Sequence, residues 1–146
     1  PDLAKLFSLE FYQQLRRRLA PGGVVAVQSG SPYTTRRAYW AVADTLQAAG
    51  FKTTALHAHV PNFGEWGWHL ARLEAQPAPA GEPPVPTRFL DGPTLAAAQV
   101  FPRPLARPAD GAVVTTRLDP RIMYLYTRGE PLSGPHWFPG STRPHR

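Results

Sequence analysis

Leu3, Phe7, Phe11, Leu15 and Leu19 recur every fourth residue, with Leu6 and Tyr12 widening the stripe. This spacing predicts one amphipathic helix of about four turns. Pro21-Gly22-Gly23 ends it, because Pro cannot continue a helix and Gly accepts a left-handed exit. Val24-Val25-Ala26-Val27 follows, apolar on both faces, which predicts a parallel strand buried between helix layers. The strand ends in the polar run Gln28-Ser29-Gly30-Ser31-Pro32. Thr34 or Thr35 is placed to cap a second helix with the stripe Tyr39, Val42, Leu46 and Ala49, and Gly50 closes that helix.

From Thr53 to Val60 the period changes to two. Thr54, Leu56, Ala58 and Val60 fall on one face, and Ala55, His57 and His59 on the other. After Pro61-Asn62-Phe63-Gly64-Glu65-Trp66-Gly67, read as a tight loop, a further strand is predicted from Trp68 to Leu73. The order helix, strand, helix, strand, loop, strand predicts an α/β sheet with an antiparallel hairpin on its edge.

Composition divides the 146 residues unevenly. Residues 1–76 hold 4 Pro and 6 Gly, whereas residues 77–146 hold 14 Pro and 6 Gly, the composition of low-complexity chain. The expected folded core therefore lies in the first half, with Leu95 to Val100 as a short helix further on and Pro131 to Arg146 disordered. A core of about 75 residues is marginal, and with no Cys there is no disulfide to help it. Absence of Cys also fits a cytoplasmic location.

The net charge of +6 invites a nucleic-acid partner, but the two halves carry equal surpluses and Arg16-Arg17-Arg18 suits the last turn of the first helix. Nucleic-acid binding is therefore not expected. No apolar run approaches the ~20 residues of a membrane span, and no signal peptide is visible.

In α/β sheets, ligands bind beyond the carboxyl ends of the parallel strands, which here is Gln28-Ser29-Gly30-Ser31-Pro32. The same run also reads as an ordinary strand-to-helix turn. Val60 to Trp68 gathers three large aromatics around Glu65. Aromatic faces beside a carboxylate suit a cationic amine, and they equally suit a hairpin covering the edge of a core. With Val60 opposite Trp68, His59 would face His69 with His57 on the same face, a set that could hold zinc. Structural histidines are the simpler reading, and no metal is expected. Ser29 and Ser31 lack the context of an activated nucleophile, and no Gly-rich phosphate or nucleoside loop occurs.

Taken in order, seven segments resemble the C-terminal half of the spermidine synthase (polyamine aminopropyltransferase) family. They are Leu6-Phe7-Ser8 with Glu10-Phe11-Tyr12, Leu19 through Gly23, Val27-Gln28-Ser29 with Ser31-Pro32, Tyr39-Trp40, Ala49-Gly50-Phe51, Val60-Pro61, and Phe63 through Gly67. A weaker likeness to the tail of long bacterial synthases, some of them membrane-anchored, runs through Arg88-Phe89-Leu90, Leu95 to Ala98, Phe101-Pro102, Leu105-Ala106-Arg107 and Arg117-Leu118-Asp119. It fails from Pro120 on.

The resemblance implies a fold class: the C-terminal half of a class I methyltransferase-like (Rossmann-like) sheet with a closing hairpin. Residues 1–76 would form that half, and residues 77–146 a Pro-rich, largely irregular extension. It implies aminopropyl transfer from decarboxylated S-adenosylmethionine, as co-substrate, to putrescine or a related polyamine. No catalytic residue is assigned within the chain. The general base, an Asp, and the nucleoside-binding Gly-rich loop are expected upstream of Pro1, and Asp2 aligns after that base.

The resemblance does assign substrate contacts. Gln28 ends the strand beside the amine pocket. Phe63 stands where many members have a Tyr, Trp66 is an aromatic of the same loop, and Glu65 is a candidate for the distal ammonium. Pro1 corresponds to a Pro touching the adenine. A homo-oligomer is expected of the full-length protein, and the isolated chain is expected to be inactive. Two alternatives remain: a methyltransferase of the same fold, which uses S-adenosylmethionine, and a non-catalytic basic binding module.

Overall fold

A computed structural model describes residues 2–128. Pro1 and the predicted disorder of 131–146 lie outside the described residues. The first apolar stripe makes two pieces rather than one helix. A 3-10 turn spans Asp2–Phe7 and is followed by helix α1, Leu9–Arg18. Ser8 causes the break. Its hydroxyl donates to the Lys5 carbonyl at 2.8 Å and accepts from the Phe11 N–H at 3.3 Å, capping α1 from inside the predicted helix.

Strand β1 is Val24–Gly30, helix α2 is Arg36–Ala48, and strands β2 and β3 are Lys52–Val60 and Gly64–Arg72. Thr35 occupies the α2 cap position, but its hydroxyl donates to the Ser31 carbonyl at 3.0 Å. Gly50 takes φ +93 just past α2, the left-handed exit predicted for it.

The sheet order is β1-β3-β2, with β3 antiparallel to both neighbours. β1 and β2 are therefore parallel to each other, and the last strand lies between them. This corrects two expectations. The hairpin does not add β3 to an edge, because β3 has a full ladder on each side. Among the described residues, β1 has only an antiparallel neighbour, and Val24, Ala26 and Gln28 on one of its faces are exposed. Apolar content on both faces of β1 did not translate into cover on both.

Helix α2 lies on one face of the sheet and is its main support. Tyr39, Val42 and Leu46 are fully buried and Ala49 nearly so, as the stripe predicted. The core joins Tyr12, Ala38, Val42, Leu46, Phe51 and Ala71 with Ile122. Burial of a residue such as Leu46 contributes about 2 kcal/mol.

Past Arg72 the chain is mostly irregular, with short helices α3 (Gly92–Ala97) and α4 (Arg121–Arg128). The predicted short helix thus starts and ends about three residues early, because Asp91 caps it by accepting from the Thr94 N–H. The change in composition at Gln76 is not a boundary in packing, since Leu105, Thr115 and Ile122 are buried. The Leu105 carbonyl accepts from Trp40 Nε1 at 2.9 Å, and the Thr115 N–H donates to Thr45 Oγ1 at 3.1 Å. Arg107 pairs with Asp44 while lying 4.7 Å from the Trp40 ring centroid.

No helix among the described residues is long and apolar enough to cross a membrane.

Candidate functional site

The carboxyl ends of the parallel strands β1 and β2 point the same way, so the exit of β1 and the tip of the β2–β3 hairpin share one end of the sheet. The hairpin reaches further. Gly30 of β1 is level with Gly67 of β3, and beyond that pair only Ala58↔Trp66, His59↔Glu65 and Val60↔Gly64 continue the ladder. Each step rises ~3.4 Å, so a two-stranded overhang of roughly 10 Å stands above the end of β1.

The turn at the tip is only Pro61-Asn62-Phe63, with Asn62 at φ 70. Glu65 and Trp66, predicted in a loop, belong to β3. The Val60↔Gly64 pairing also moves the register, so that His69 faces Ala55 rather than His59. Among the described residues, no three His, Cys, Asp or Glu side chains are grouped to hold a metal ion.

Alternation along β3 sorts the predicted substrate residues. Trp66 and Trp68 point to the face away from α2, with Leu56 opposite Trp68 on one side and Gln28 opposite it on the other. Phe63, 70% exposed at the tip, meets Trp66 edge to face with ring centroids 5.9 Å apart. Gln28, Trp66 and Phe63 are thus brought to one side of the sheet, an open surface of aromatic faces with one amide.

Glu65 is directed to the other side, where its Oε2 accepts from His57 Nδ1 at 2.8 Å. His59 Nδ1 is 3.7 Å from the other carboxylate oxygen and largely exposed.

The exit of β1 is closely packed. Ser31 Oγ accepts from the N–H groups of Tyr33 and Thr34, at 3.2 and 3.1 Å, shaping the turn into α2. Ser29 is skipped in the β1–β3 ladder. Its hydroxyl lies 3.0 Å from the Val27 carbonyl and 2.8 Å from His69 Nδ1. Its carbonyl accepts from the Tyr126 hydroxyl at 2.9 Å, so α4 reaches the same exit. Gly30 permits that approach, since a Cβ there would meet the Tyr126 oxygen at 2.8 Å.

Burial governs the ionisable groups here. It pushes Tyr126 up to about 12. His69 is fully buried, 4.3 Å from the Tyr39 ring centroid, and held down to about 3 by burial and by the nearby Arg107 charge. His69 is therefore a neutral core histidine, and among the described residues its Nε2 has no partner. Sequence reasoning missed the contributions of Tyr126, Val100 and Phe101 to this end of the sheet. The sequence holds no local signal for them, since each acts through contacts with residues far away in the chain.

Aromatic faces and an amide near the carboxyl ends of parallel strands stand where α/β sheets bind small ligands. Sequence comparison assigns the family. The family model for the Spermine/spermidine synthase domain matches residues 2–79. A polyamine aminopropyltransferase of Mycobacterium tuberculosis is 50% identical over 103 residues, covering 69% of this chain and 20% of that protein. Polyamine aminopropyltransferase 1 of Streptomyces coelicolor is 45% identical over 124 residues, covering 84% of this chain and 23% of that protein. A polyamine aminopropyltransferase of Oceanobacillus iheyensis is 34% identical over 129 residues, covering 87% of this chain and 25% of that protein. The chain belongs to the spermine/spermidine synthase family. It spans about a fifth to a quarter of the length of these relatives.

Proposed function

We propose that this chain is the substrate-shaping part of an aminopropyltransferase that moves the aminopropyl group of decarboxylated S-adenosylmethionine to putrescine or a related polyamine. The observation that carries the reading is the open face at the strand ends. There Phe63 and Trp66 cross at 67° on the overhanging hairpin, and Gln28 lies on the same side of the sheet. Family membership supports it, and so does the name polyamine aminopropyltransferase carried by the relatives. The fold is read as the C-terminal half of a methyltransferase-like sheet, with residues 77–146 as an extension.

The chemistry defines the roles. A neutral amine nitrogen attacks the carbon bonded to the sulfonium. The new C–N bond forms as the C–S bond breaks, its electron pair stays on sulfur, and methylthioadenosine leaves. A carboxylate takes the proton of the substrate's ammonium as the nitrogen attacks, because an alkylamine titrates near ~10 and must be neutral to attack. That base and the nucleoside loop are assigned to sequence preceding Pro1, and Pro1 to the adenine.

Within the chain, the Phe63 and Trp66 faces attract the cationic end of the amine, and the Gln28 amide oxygen accepts from its N–H groups. Phe63 has no hydroxyl, so it offers the amine a ring face and no hydrogen bond. Glu65 is already engaged by His57 on the far face, which assigns it to holding the hairpin ahead of meeting the distal ammonium.

The test is methylthioadenosine release by the complete enzyme containing this chain, given putrescine and decarboxylated S-adenosylmethionine. Turnover is expected there, and none is expected from residues 1–146 alone. Turnover by the chain alone would overturn the upstream placement of the base. Methyl transfer from S-adenosylmethionine in place of aminopropyl transfer would overturn the reaction.

A further inference from the structure

The overhanging hairpin should be weak on its own. A two-stranded ribbon is marginal in water, and among the described residues β1 has no pair beyond Gly30↔Gly67. Its root is nevertheless held from outside the sheet. β2 is an edge strand, and the outward N–H of His57 donates to the Ala98 carbonyl at 2.8 Å. The His57 ring places Nε2 2.7 Å from the Val100 carbonyl and Nδ1 2.8 Å from Glu65 Oε2. Phe101 packs on the same imidazole at 4.6 Å between centroids, and its ring also meets Trp40 at 5.2 Å and Tyr39 at 5.9 Å.

The segment is braced in turn, since Gln99 Nε2 donates to the Pro79 carbonyl at 2.7 Å. Residues 98–101 lie outside the stretch matched by the family model. They grip β2 at His57, one step from the Ala58↔Trp66 pair.

We propose that residues 98–101 are a strap that sets the amine pocket, with His57 as the positioning residue through which the strap holds the hairpin carrying Trp66 and Phe63. This rests on the aminopropyl-transfer reading. The strap holds the two rings in place before the amine arrives, so binding does not have to order them. His57 contacts no substrate. Its three bonds fix β2 to the strap and β3 to β2, while Trp66 projects from the opposite face.

Two conservative variants separate the ring's two bonds. His57→Gln keeps a donor where Nε2 sits, towards Val100. His57→Asn keeps a donor where Nδ1 sits, towards Glu65. In the complete enzyme, His57→Asn and Phe101→Ala are expected to raise the amine KM about five-fold with kcat within about two-fold, and His57→Gln, which keeps the bond to the strap, to raise it less than about two-fold. Hydrogen exchange should quicken in the same two variants at the amides of 58–66, while those of 25–27 keep their rates.

Exchange that is unchanged, or that rises equally at 25–27, overturns the strap. An unchanged amine KM with selective exchange at 58–66 overturns the positioning role, while wild-type turnover leaves the reaction standing. A wild-type enzyme without turnover overturns the reaction and the pocket-setting role together.

Discussion

The two faces of the sheet are built from alternate residues of the same strand and do opposite work. On the α2 side, β3 presents Gly67, His69 and Ala71, all buried. Tyr39 fills the space above Gly67, and its hydroxyl donates to the carbonyls of Leu56 and Trp68 at 3.1 and 3.3 Å. On the other side, β3 presents Trp66, Trp68 and Leu70, none of them buried. The covered face spends its residues on close packing, and even its histidine is held neutral. The open face keeps large rings accessible at the strand ends. Close packing and accessible rings are thus separated by one residue along the chain.

This contrast breaks most visibly where the covered face is emptied. Leu46→Ala is expected to cost about 3 kcal/mol in denaturant unfolding, because the cavity lies in the middle of the core. Overfilling follows. Gly67→Ala would drive a Cβ into the Tyr39 ring, with Cδ2 at 2.9 Å, at an expected cost of about 2 kcal/mol.

A third measurement concerns His69, whose folded value of about 3 lies below the ordinary ~6.5. Between these values the unfolded chain binds a proton that the folded chain does not. Its contribution is therefore complete above ~6.5 and lost as pH falls towards 3, at up to about 1.4 kcal/mol per pH unit. Comparing urea unfolding of wild type and His69→Phe over that range should show the slope shallower in the variant. An equal slope would place the titration elsewhere.

The smallest effect is expected on the open face. Phe63→Ala, at a site 70% exposed, should change stability by less than about 0.5 kcal/mol while raising the putrescine KM. A large loss of stability from Phe63→Ala would erase the distinction between the faces.

Local pattern made the elements readable. The α2 stripe and the alternation through Thr54, Leu56, Ala58 and Val60 are local periodicities, and both hold in the fold. What failed was long-range. Nothing between Val24 and Leu73 announces that β3 lies between β1 and β2, because alternation shows which residues share a face and not which strands pair. The position of Glu65 followed from a turn shorter than its glycines suggested.

The candidate site was legible in part. Gln28, Phe63 and Trp66 do share a side, but the strap was hidden. Val100, Phe101 and Leu105 stand among prolines without a period, so their contacts show only once the chain has folded back. Ser8 is the opposite case, a polar residue in an apolar stripe whose helix-capping chemistry could have been read locally.

Placing the last strand in the middle also orders events during synthesis. β1 and β2 emerge first, and in the folded sheet they are not neighbours of each other. Until Arg72 has cleared the ribosome, neither has its neighbour in this sheet, and both expose hydrogen-bonding edges to other nascent chains. Sheet formation therefore waits for β3 and then closes two ladders at once. A ribosome stalled before Arg72 would release a species suited to aggregation, whereas one stalled a few residues later would release a chain able to close its sheet.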